Sequence, residues 1–410
     1  MLSQHSDPTL CREMLHTMPQ YNFNQPIARK KSWKWQHENV IDGHTVIPMS
    51  VADMDFISPY EVTAMMQEIV DNGMFGYCSI PSEHEHVIAK WQQDYYDWDV
   101  SPNDILITNG LLVSMFMMIK EVSEPEDSVV IFSPVYQNFV TGIKSVNRTP
   151  KVCNLLCDEY NNWTLDFATY EKLCREPTTT CVIICNPHNP VGRAWTVQEL
   201  DTLIRIAQEH NVIIFSDEIH SDFVFDTRFN PAIKAAKSKQ NVITFSSGGK
   251  VFNIGGLYSS FAITQDKELK NTLLALLKND QAHPNTFSLW ASYAGYKYGH
   301  QYRQEVVAYI RRMQEKMATA INQLPLPITA NLPEATYFLW ADFGYTGWNQ
   351  KQIQEFLIVD ARLGFIPGDR YGQNGEGFVR INCAVPEFRI DEAIQLLEEG
   401  INKRVNSALK

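Results

Sequence analysis

Asn241-Val242-Ile243-Thr244-Phe245-Ser246-Ser247-Gly248-Gly249-Lys250-Val251-Phe252-Asn253-Ile254-Gly255-Gly256-Leu257 is the stretch that decides how this chain is read. Its first five residues form a β-type run that does not alternate apolar with polar, as suits a strand covered on both faces. Small residues and two glycine pairs then flank a single lysine, so backbone there can approach a ligand closely. Taken alone, Lys250 reads as a surface lysine in a flexible loop.

The surrounding chain changes that reading. Val- and Ile-rich runs recur at 105–108, 129–133, 181–185, 212–215 and 242–245, with helical patterns between them. The span 196–210 opens with Thr196-Val197-Gln198-Glu199, the signature of a capping box. After Ser58-Pro59, apolar Val62, Met65, Met66, Ile69 and Val70 follow helical spacing, and Gly73 lies just past the end. Strands alternating with helices predict an α/β fold, a mainly parallel sheet with helices on both faces. From about residue 285 the pattern shifts to longer helices, at 288–298 and 301–323, with short strands near 337–340 and 378–382. The expected organisation is an extended arm over 1–20 and an N-terminal segment over 21–55 that joins the small domain. A large cofactor-binding domain over 56–285 and a small α+β domain over 286–410 complete it.

Composition narrows the functional classes. A chain of 410 residues with 44% hydrophobic and 20% charged residues has the make-up of a globular enzyme. Its net charge of -12 argues against a nucleic-acid or anionic-membrane surface, which needs clustered Lys and Arg. Arg29-Lys30-Lys31 is too short a basic run to alter this. The eight cysteines form no C-x-x-C pair, so a disulfide framework or zinc site is not expected. With no apolar leader and no membrane-length span, a reducing, cytoplasmic setting is expected. The sequons at Asn147 and Asn162 are then accidental. His84-Glu85-His86 lacks a third ligand partner and reads as surface, and the glycines near Lys250 do not form a dinucleotide fingerprint. Trp340 and Tyr337 read as core.

In open α/β sheets ligands collect beyond the C-terminal ends of the strands, and the polar motifs of this chain all sit there. Asn109-Gly110-Leu111, Asn186-Pro187-His188-Asn189-Pro190-Val191-Gly192, Ser216-Asp217-Glu218-Ile219-His220 and the Lys250 segment each follow an apolar run. A lysine to form an imine, a carboxylate to keep a ring nitrogen protonated and a nest of N–H groups for a phosphate are what pyridoxal phosphate requires. Lys250, Asp217 and the helix start at Gly110 and Leu111 suit these three parts. For Asp217 a helix N-cap, and for Asn-Gly an ordinary turn, are the plain structural alternatives.

On these motifs the chain resembles the fold-type-I pyridoxal-phosphate enzymes of the class I/II aminotransferase superfamily, from about residue 21 to its end. Within them it most resembles the MalY/PatB-type cystathionine β-lyases, or C–S lyases. Tyr21-Asn22-Phe23-Asn24, Arg29, Lys34-Trp35, Val51-Ala52-Asp53-Met54-Asp55-Phe56, Phe75-Gly76-Tyr77, Glu334-Ala335-Thr336-Tyr337 and Gly377-Phe378-Val379-Arg380-Ile381-Asn382 carry the narrower likeness. The resemblance implies that Lys250 is both the Schiff-base lysine and the catalytic base, and that Asp217 meets the pyridine nitrogen. It implies that Asn189 bonds the ring's phenolic oxygen with His220 nearby, and that Tyr136 stacks on the ring. Gly110, Leu111 and Ser247 would hold the phosphate, with Tyr77 reaching it from the partner of a homodimer. Arg380 would bind the α-carboxylate of a small amino-acid substrate through a two-pronged fork.

Three positions depart from the pattern. Gly248-Gly249 precede the lysine where relatives end in serine, Glu387 stands in place of arginine, and Tyr258 replaces a phosphate-binding arginine that C–S lyases also tend to lack. The resemblance thus implies β-elimination on L-cysteine S-conjugates. Transamination is the next expectation, and an inactive cofactor-binding regulator the third.

Overall fold

The apolar runs become strands of one seven-stranded sheet: β1 (Ile105–Asn109), β2 (Ser128–Ser133), β3 (Thr149–Asn154), β4 (Thr179–Cys185), β5 (Ile213–Asp217), β6 (Val242–Ser246) and β7 (Ser259–Ile263). The computed structural model describes residues 20–27, 31–279 and 284–408. Apart from Gln20, the expected arm over 1–20 lies outside them, as does Arg29. The strand order is β1-β7-β6-β5-β4-β2-β3. Neighbours from β6 to β3 run parallel, whereas β7 is antiparallel to both β6 and β1.

Non-alternating strands have a physical cause here. Ile105, Ile107, Val130, Phe132, Val182, Ile184 and Ile214 enter one core cluster. Their chain neighbours Leu106, Val129, Ile131, Ile183, Phe215, Ile243 and Phe245 enter a second. Successive side chains point to opposite faces, so both faces are apolar and both are covered. Each such side chain contributes about 1.5–3 kcal/mol by leaving water.

The helices begin and end where the local chemistry dictates. Helix α1 (Tyr60–Asn72) stops at Gly73, whose φ of 67° is left-handed. Helix α2 (His84–Tyr96) buries His84, Ile88 and Trp91. The expectation of a surface His84 is therefore corrected. Its Nε2 lies 3.1 Å from Ser292 Oγ, and burial holds the imidazole down to about 4. Spacing of i, i+4 and i+7 with Ile88 and Trp91 puts it on the helix's inner face. Helix α3 (Leu111–Glu121) follows β1 directly. Before helix α4 (Val197–Glu209), Thr196 Oγ1 accepts from the Glu199 N–H at 3.2 Å and Glu199 Oε2 from the Thr196 N–H at 2.8 Å.

Helix α5 (Thr286–Tyr298) packs on α1, α2 and β7 of the first sheet, whereas helices α6 (His300–Asn322) and α7 (Glu387–Ala408) accompany a second sheet, of order β8-β9-β11-β10. Its strands are β8 (Thr329–Ala330), β9 (Phe338–Asp342), β10 (Ile366–Pro367) and β11 (Phe378–Asn382). Ile47–Pro48 pairs in parallel with Leu363–Gly364 beside it. Nearby, the fully buried Lys34 ammonium meets Asp53 at 2.7 Å and Asp55 at 2.9 Å. Tyr337 and Trp340 are core residues, as expected.

Phe252 shows how tightly the lysine loop is packed. Its ring meets Trp91 and Tyr296 edge-on, with centroids 5.4 and 5.3 Å away. A Cβ on Gly248, Gly295 or Gly299 would lie 2.6, 2.5 or 2.7 Å from that ring. Gly295→Ala should gain about 1 kcal/mol of helix propensity but force this aromatic cluster apart. A net loss of about 1–3 kcal/mol is expected in urea unfolding, and a neutral or stabilising result would contradict the packing described.

Candidate active site

The C-terminal ends of β4, β5 and β6 and the start of α3 converge on a cavity of about 230 Å³. Gly110, Leu111, Tyr136, Asn189, Asp217, His220, Ser247 and Lys250 all line it. Nine-tenths of the expected constellation, then, is gathered from five separate chain segments or lies directly behind them. Arg380 stands behind the lining, and Tyr77 is elsewhere.

Lys250 Nζ donates to the Ala52 carbonyl at 2.6 Å. Burial pulls its ammonium down to about 8; Arg380 acts in the same direction, while Asp53 and Asp217 oppose it. Asp217 ends β5, and its Oδ1 accepts from the Ile219 N–H at 3.1 Å. Burial pushes its carboxyl up to about 6, against that hydrogen bond and the Lys250 charge. At neutral pH it is therefore predominantly an anion facing the cavity. His220 is held neutral: burial sends it well below the ordinary histidine range, and the Lys250 and Arg380 charges add to this. Its ring meets the Tyr337 and Phe338 rings edge-on. Tyr136 Oη accepts from Asn138 Nδ2 at 2.6 Å, and burial and Asp217 both raise its phenol.

Arg380, on β11, is only 3% exposed. Its Nη1 donates to Asn189 Oδ1 at 3.1 Å and its Nη2 to the Ser50 carbonyl at 2.6 Å. The guanidinium lies 3.9 Å over the Phe338 ring. Arg380 takes the carbonyl oxygen of the Asn189 amide, so the Asn189 NH₂ is left as the donor on the cavity side of that pair.

One end of the cavity is suited to an anion. Gly110, with φ of 84°, adopts a left-handed conformation that an L side chain rarely takes, and the helix α3 begins at the next residue. The first-turn N–H groups of Leu111, Leu112 and Val113 carry the positive end of the helix dipole. Ser247 is less available than the sequence implied. Its hydroxyl donates to the Ser259 carbonyl and accepts from the Gly249 N–H at 2.8 Å. Tyr258, in place of an arginine, also lines this end; its ring lies 3.6 Å from the position a Cβ on Gly110 would take.

The two glycines before the lysine have a steric reason. Gly248 makes room for Phe252, and a Cβ on Gly249 would sit 2.9 Å from Ser247 Oγ and 3.4 Å from Gly255 Cα. Neither has a positive φ, so space and not backbone conformation is what they supply. Glu387 reaches Lys316 at 2.9 Å, away from the cavity lining. Tyr77 stands fully exposed on a stretch with Met74, Phe75 and Ile80, and does not line the cavity of its own chain.

Sequence reasoning gave no role to the backbone of residues 50–56, which passes across the site. Asn382 Nδ2 donates to the Val51 and Asp53 carbonyls at 2.6 and 2.7 Å. Asn253 Nδ2 donates to those of Met54 and Phe56 at 2.9 and 2.8 Å, and its Oδ1 accepts from the Met54 N–H at 3.1 Å. Carbonyl recognition by asparagine leaves no mark in a one-dimensional pattern. Only its residence in the quoted Val51–Phe56 and Arg380–Asn382 motifs pointed toward this segment.

An anion-receptive helix start, a buried carboxylate, an amide donor and a lysine with lowered proton affinity share one cavity. The unpartnered buried Nδ1 of His220 and Nε of Arg380 add polar capacity beside it. These residues fit pyridoxal phosphate.

The profile of the family described as aminotransferase class I and II matches residues 45–397, and the chain belongs to that family. Among its relatives, the cystathionine beta-lyase PatB of Bacillus subtilis is 31% identical over 95% of this chain and 100% of its own length. Protein MalY of Escherichia coli is 26% identical over 93% of this chain and 99% of its own. Cystalysin from Treponema denticola, whose crystal structure contains pyridoxal 5'-phosphate, superposes with a TM-score of 0.87 at 30% identity, covering 93% of this chain and 99% of that one. Both the superfamily and the branch named from the motifs agree with these likenesses.

The Lys250 environment has a measurable consequence. In cofactor-free protein, the rate of pyridoxal phosphate capture should rise with pH through about 8, because the neutral amine is the reacting form. Asp53→Asn removes a charge that favours the ammonium, so its midpoint should fall lower still. A midpoint near that of an ordinary lysine, or one raised by Asp53→Asn, would contradict this electrostatic account.

Proposed function

We propose that this chain is a pyridoxal-phosphate-dependent carbon–sulfur lyase that eliminates the β-substituent of L-cysteine S-conjugates, yielding a thiol, pyruvate and ammonia. The convergence of Lys250, Asp217, Asn189 and Arg380 at one cavity carries the reading. The likeness to the cystathionine beta-lyase PatB supports elimination over other reactions of the same cofactor.

Bound pyridoxal phosphate supplies an electron sink for the bonds at Cα. In this reading Lys250 holds the cofactor and then acts as the base at the substrate's Cα. Its lowered proton affinity leaves a substantial neutral fraction near pH 8, which suits a group that takes up and returns a proton. Asp217 fixes the ring nitrogen in its protonated form, and Asn189 donates to the ring oxygen while its carbonyl remains with Arg380. Arg380 receives the α-carboxylate, which orients the Cα–H bond toward Lys250. The Cα proton passes to Nζ, the C–S bonding pair leaves on sulfur, and a proton returned to sulfur completes the thiol. Water then converts the three-carbon remainder to pyruvate and ammonia.

The phosphate falls to the Gly110 and Leu111 N–H groups and the Ser247 region. In a homodimer Tyr77 of the partner subunit would complete this corner. The exposed apolar run of Met74, Phe75, Tyr77 and Ile80 supports burial against a second copy. Transamination is the second reading, favoured by the description of the matching family.

Reconstituted protein is expected to release thiol and pyruvate in equal amounts from at least one of cystathionine, S-methyl-L-cysteine and L-cysteine without an added keto acid. Lys250→Ala should lower turnover by about 10²–10⁴-fold. Arg380→Lys should weaken kcat/KM by about tenfold or more through loss of the fork. Turnover that appears only with a keto acid, and without thiol release, would replace elimination by transamination.

A further inference from the structure

Two motifs quoted from the sequence, Lys34-Trp35 and Val51–Phe56, contribute only Ala52 to the cavity lining. The structure joins them to each other. Lys34 and Trp35 sit on the short helix Trp33–His37, and both side chains reach the 50–56 segment. Lys34 Nζ meets Asp53 Oδ1 at 2.7 Å and Asp55 Oδ1 at 2.9 Å, and Trp35 Nε1 donates to the two Asp55 oxygens at 3.2 and 3.3 Å. The Lys34 side chain is fully buried, whereas that of Asp53 is 40% exposed.

Asp53 is held at both ends. Its backbone carbonyl accepts from Asn382 Nδ2 at 2.7 Å, and Lys34 takes its buried Oδ1. The peptide carbonyl just before it, that of Ala52, accepts from Lys250 Nζ at 2.6 Å. Covalent geometry then puts Asp53 Cα within about 5.5 Å of Nζ and the carboxylate carbon within about 8 Å. A partly solvated carboxylate at that range shifts an amine by about half a pH unit. After burial, the Asp53 charge weighs most at Lys250, ahead of Arg380 and Asp217.

We propose that Lys34 is a positioning residue: its buried ammonium pins the Asp53 carboxylate beside the Ala52 carbonyl, so that this anion acts on the amine of Lys250. Among the described residues, the Asp53 carboxylate forms an ion pair with Lys34 and with no other cation. Released from Lys34, a side chain already 40% exposed turns to water, which screens its charge. The other charged or titratable groups acting with Lys250 or Asp53 are Arg380, Asp217, His220 and Tyr337, the last two neutral. The inference needs only cofactor capture by Lys250 and does not rest on the elimination proposed above.

The test is the pH dependence of pyridoxal phosphate capture by cofactor-free protein, compared among wild type, Lys34→Met, Asp53→Asn and the double variant. The neutral amine is the reacting form, so the midpoint reports the proton affinity of Lys250. Loss of a cation near an amine raises that affinity, and so does water entering a loosened site. Lys34 acting through Asp53 has the opposite sign, because the anion that favours the ammonium leaves with it. The midpoint should fall by about half a pH unit in Lys34→Met, by a similar amount in Asp53→Asn, and no further in the double variant. An unchanged or raised midpoint in either single variant, or shifts that add in the double variant, would overturn the proposal.

Lys34→Met also takes that cation from Asp55, which is 5% exposed. Should the variant not fold, Lys34→Met/Asp55→Asn is compared with Asp55→Asn; the same fall is expected, and an unchanged or raised midpoint again overturns the proposal. Urea unfolding of the four cofactor-free proteins gives a second reading. Lys34→Met and Asp53→Asn should couple by about threefold or more in the unfolding constant, and additive effects would remove the pairing on which the role depends. None of these readouts needs lyase turnover, so failure here and failure of the elimination reading are separable.

Discussion

The guanidinium of Arg380 is the tie on which the site depends. It belongs to the second sheet, yet its two terminal nitrogens reach Asn189, in the turn after β4, and the carbonyl of Ser50, in the N-terminal segment. A buried planar cation with only 3% exposure must find donors' partners in fixed directions, and it finds them on two other parts of the chain. The face of Phe338 at 3.9 Å supports it from below. Asn382, two residues on, and Asn253, just after the lysine, hold the same segment by its carbonyls. The cavity is thus assembled by long-range polar bonds laid over an apolar sheet.

Withdrawal of charges from water gives the cavity its chemistry. Burial lowers the proton affinity of Lys250 and raises that of Asp217, so the two move toward each other across neutral pH. The remaining charges, Asp53 and Arg380, adjust that balance in opposite senses at Lys250. His220 stays neutral because burial and two nearby cations act in the same direction. An amine that gives up its proton near pH 8 and a carboxylate that keeps its charge are complementary needs, met by one water-poor pocket.

Much of this was legible in one dimension. Runs such as 181–185 are apolar throughout, and in space their alternate residues fill two cores, which is why the parallel sheet could be read from them. The capping box at Thr196 and the stop at Gly73 rest on local hydrogen bonds and backbone conformation, so they too were legible. The edge strand β3, with Pro150 and Lys151 and a largely uncovered surface, carries no such signal, and neither does the small-residue strand β7. His84 was misjudged because its burial depends on α5, a helix some two hundred residues away in the chain. The glycine pair before Lys250 was visible but unexplained until Phe252 was seen to occupy the space its side chains would need.

By itself the sequence determined the strand and helix order, the motifs at the strand ends and the family to which the chain belongs. Those depend on residue type and short spacing, which physical chemistry reads locally. Only the tertiary structure decided that the Ser247 hydroxyl is already engaged, that residues 50–56 roof the site, and that Arg380 and Asn189 share one hydrogen bond. It also decided the titration of Lys250 and Asp217. Burial and the summed fields of distant charges are properties of a packed volume, and no linear pattern contains them.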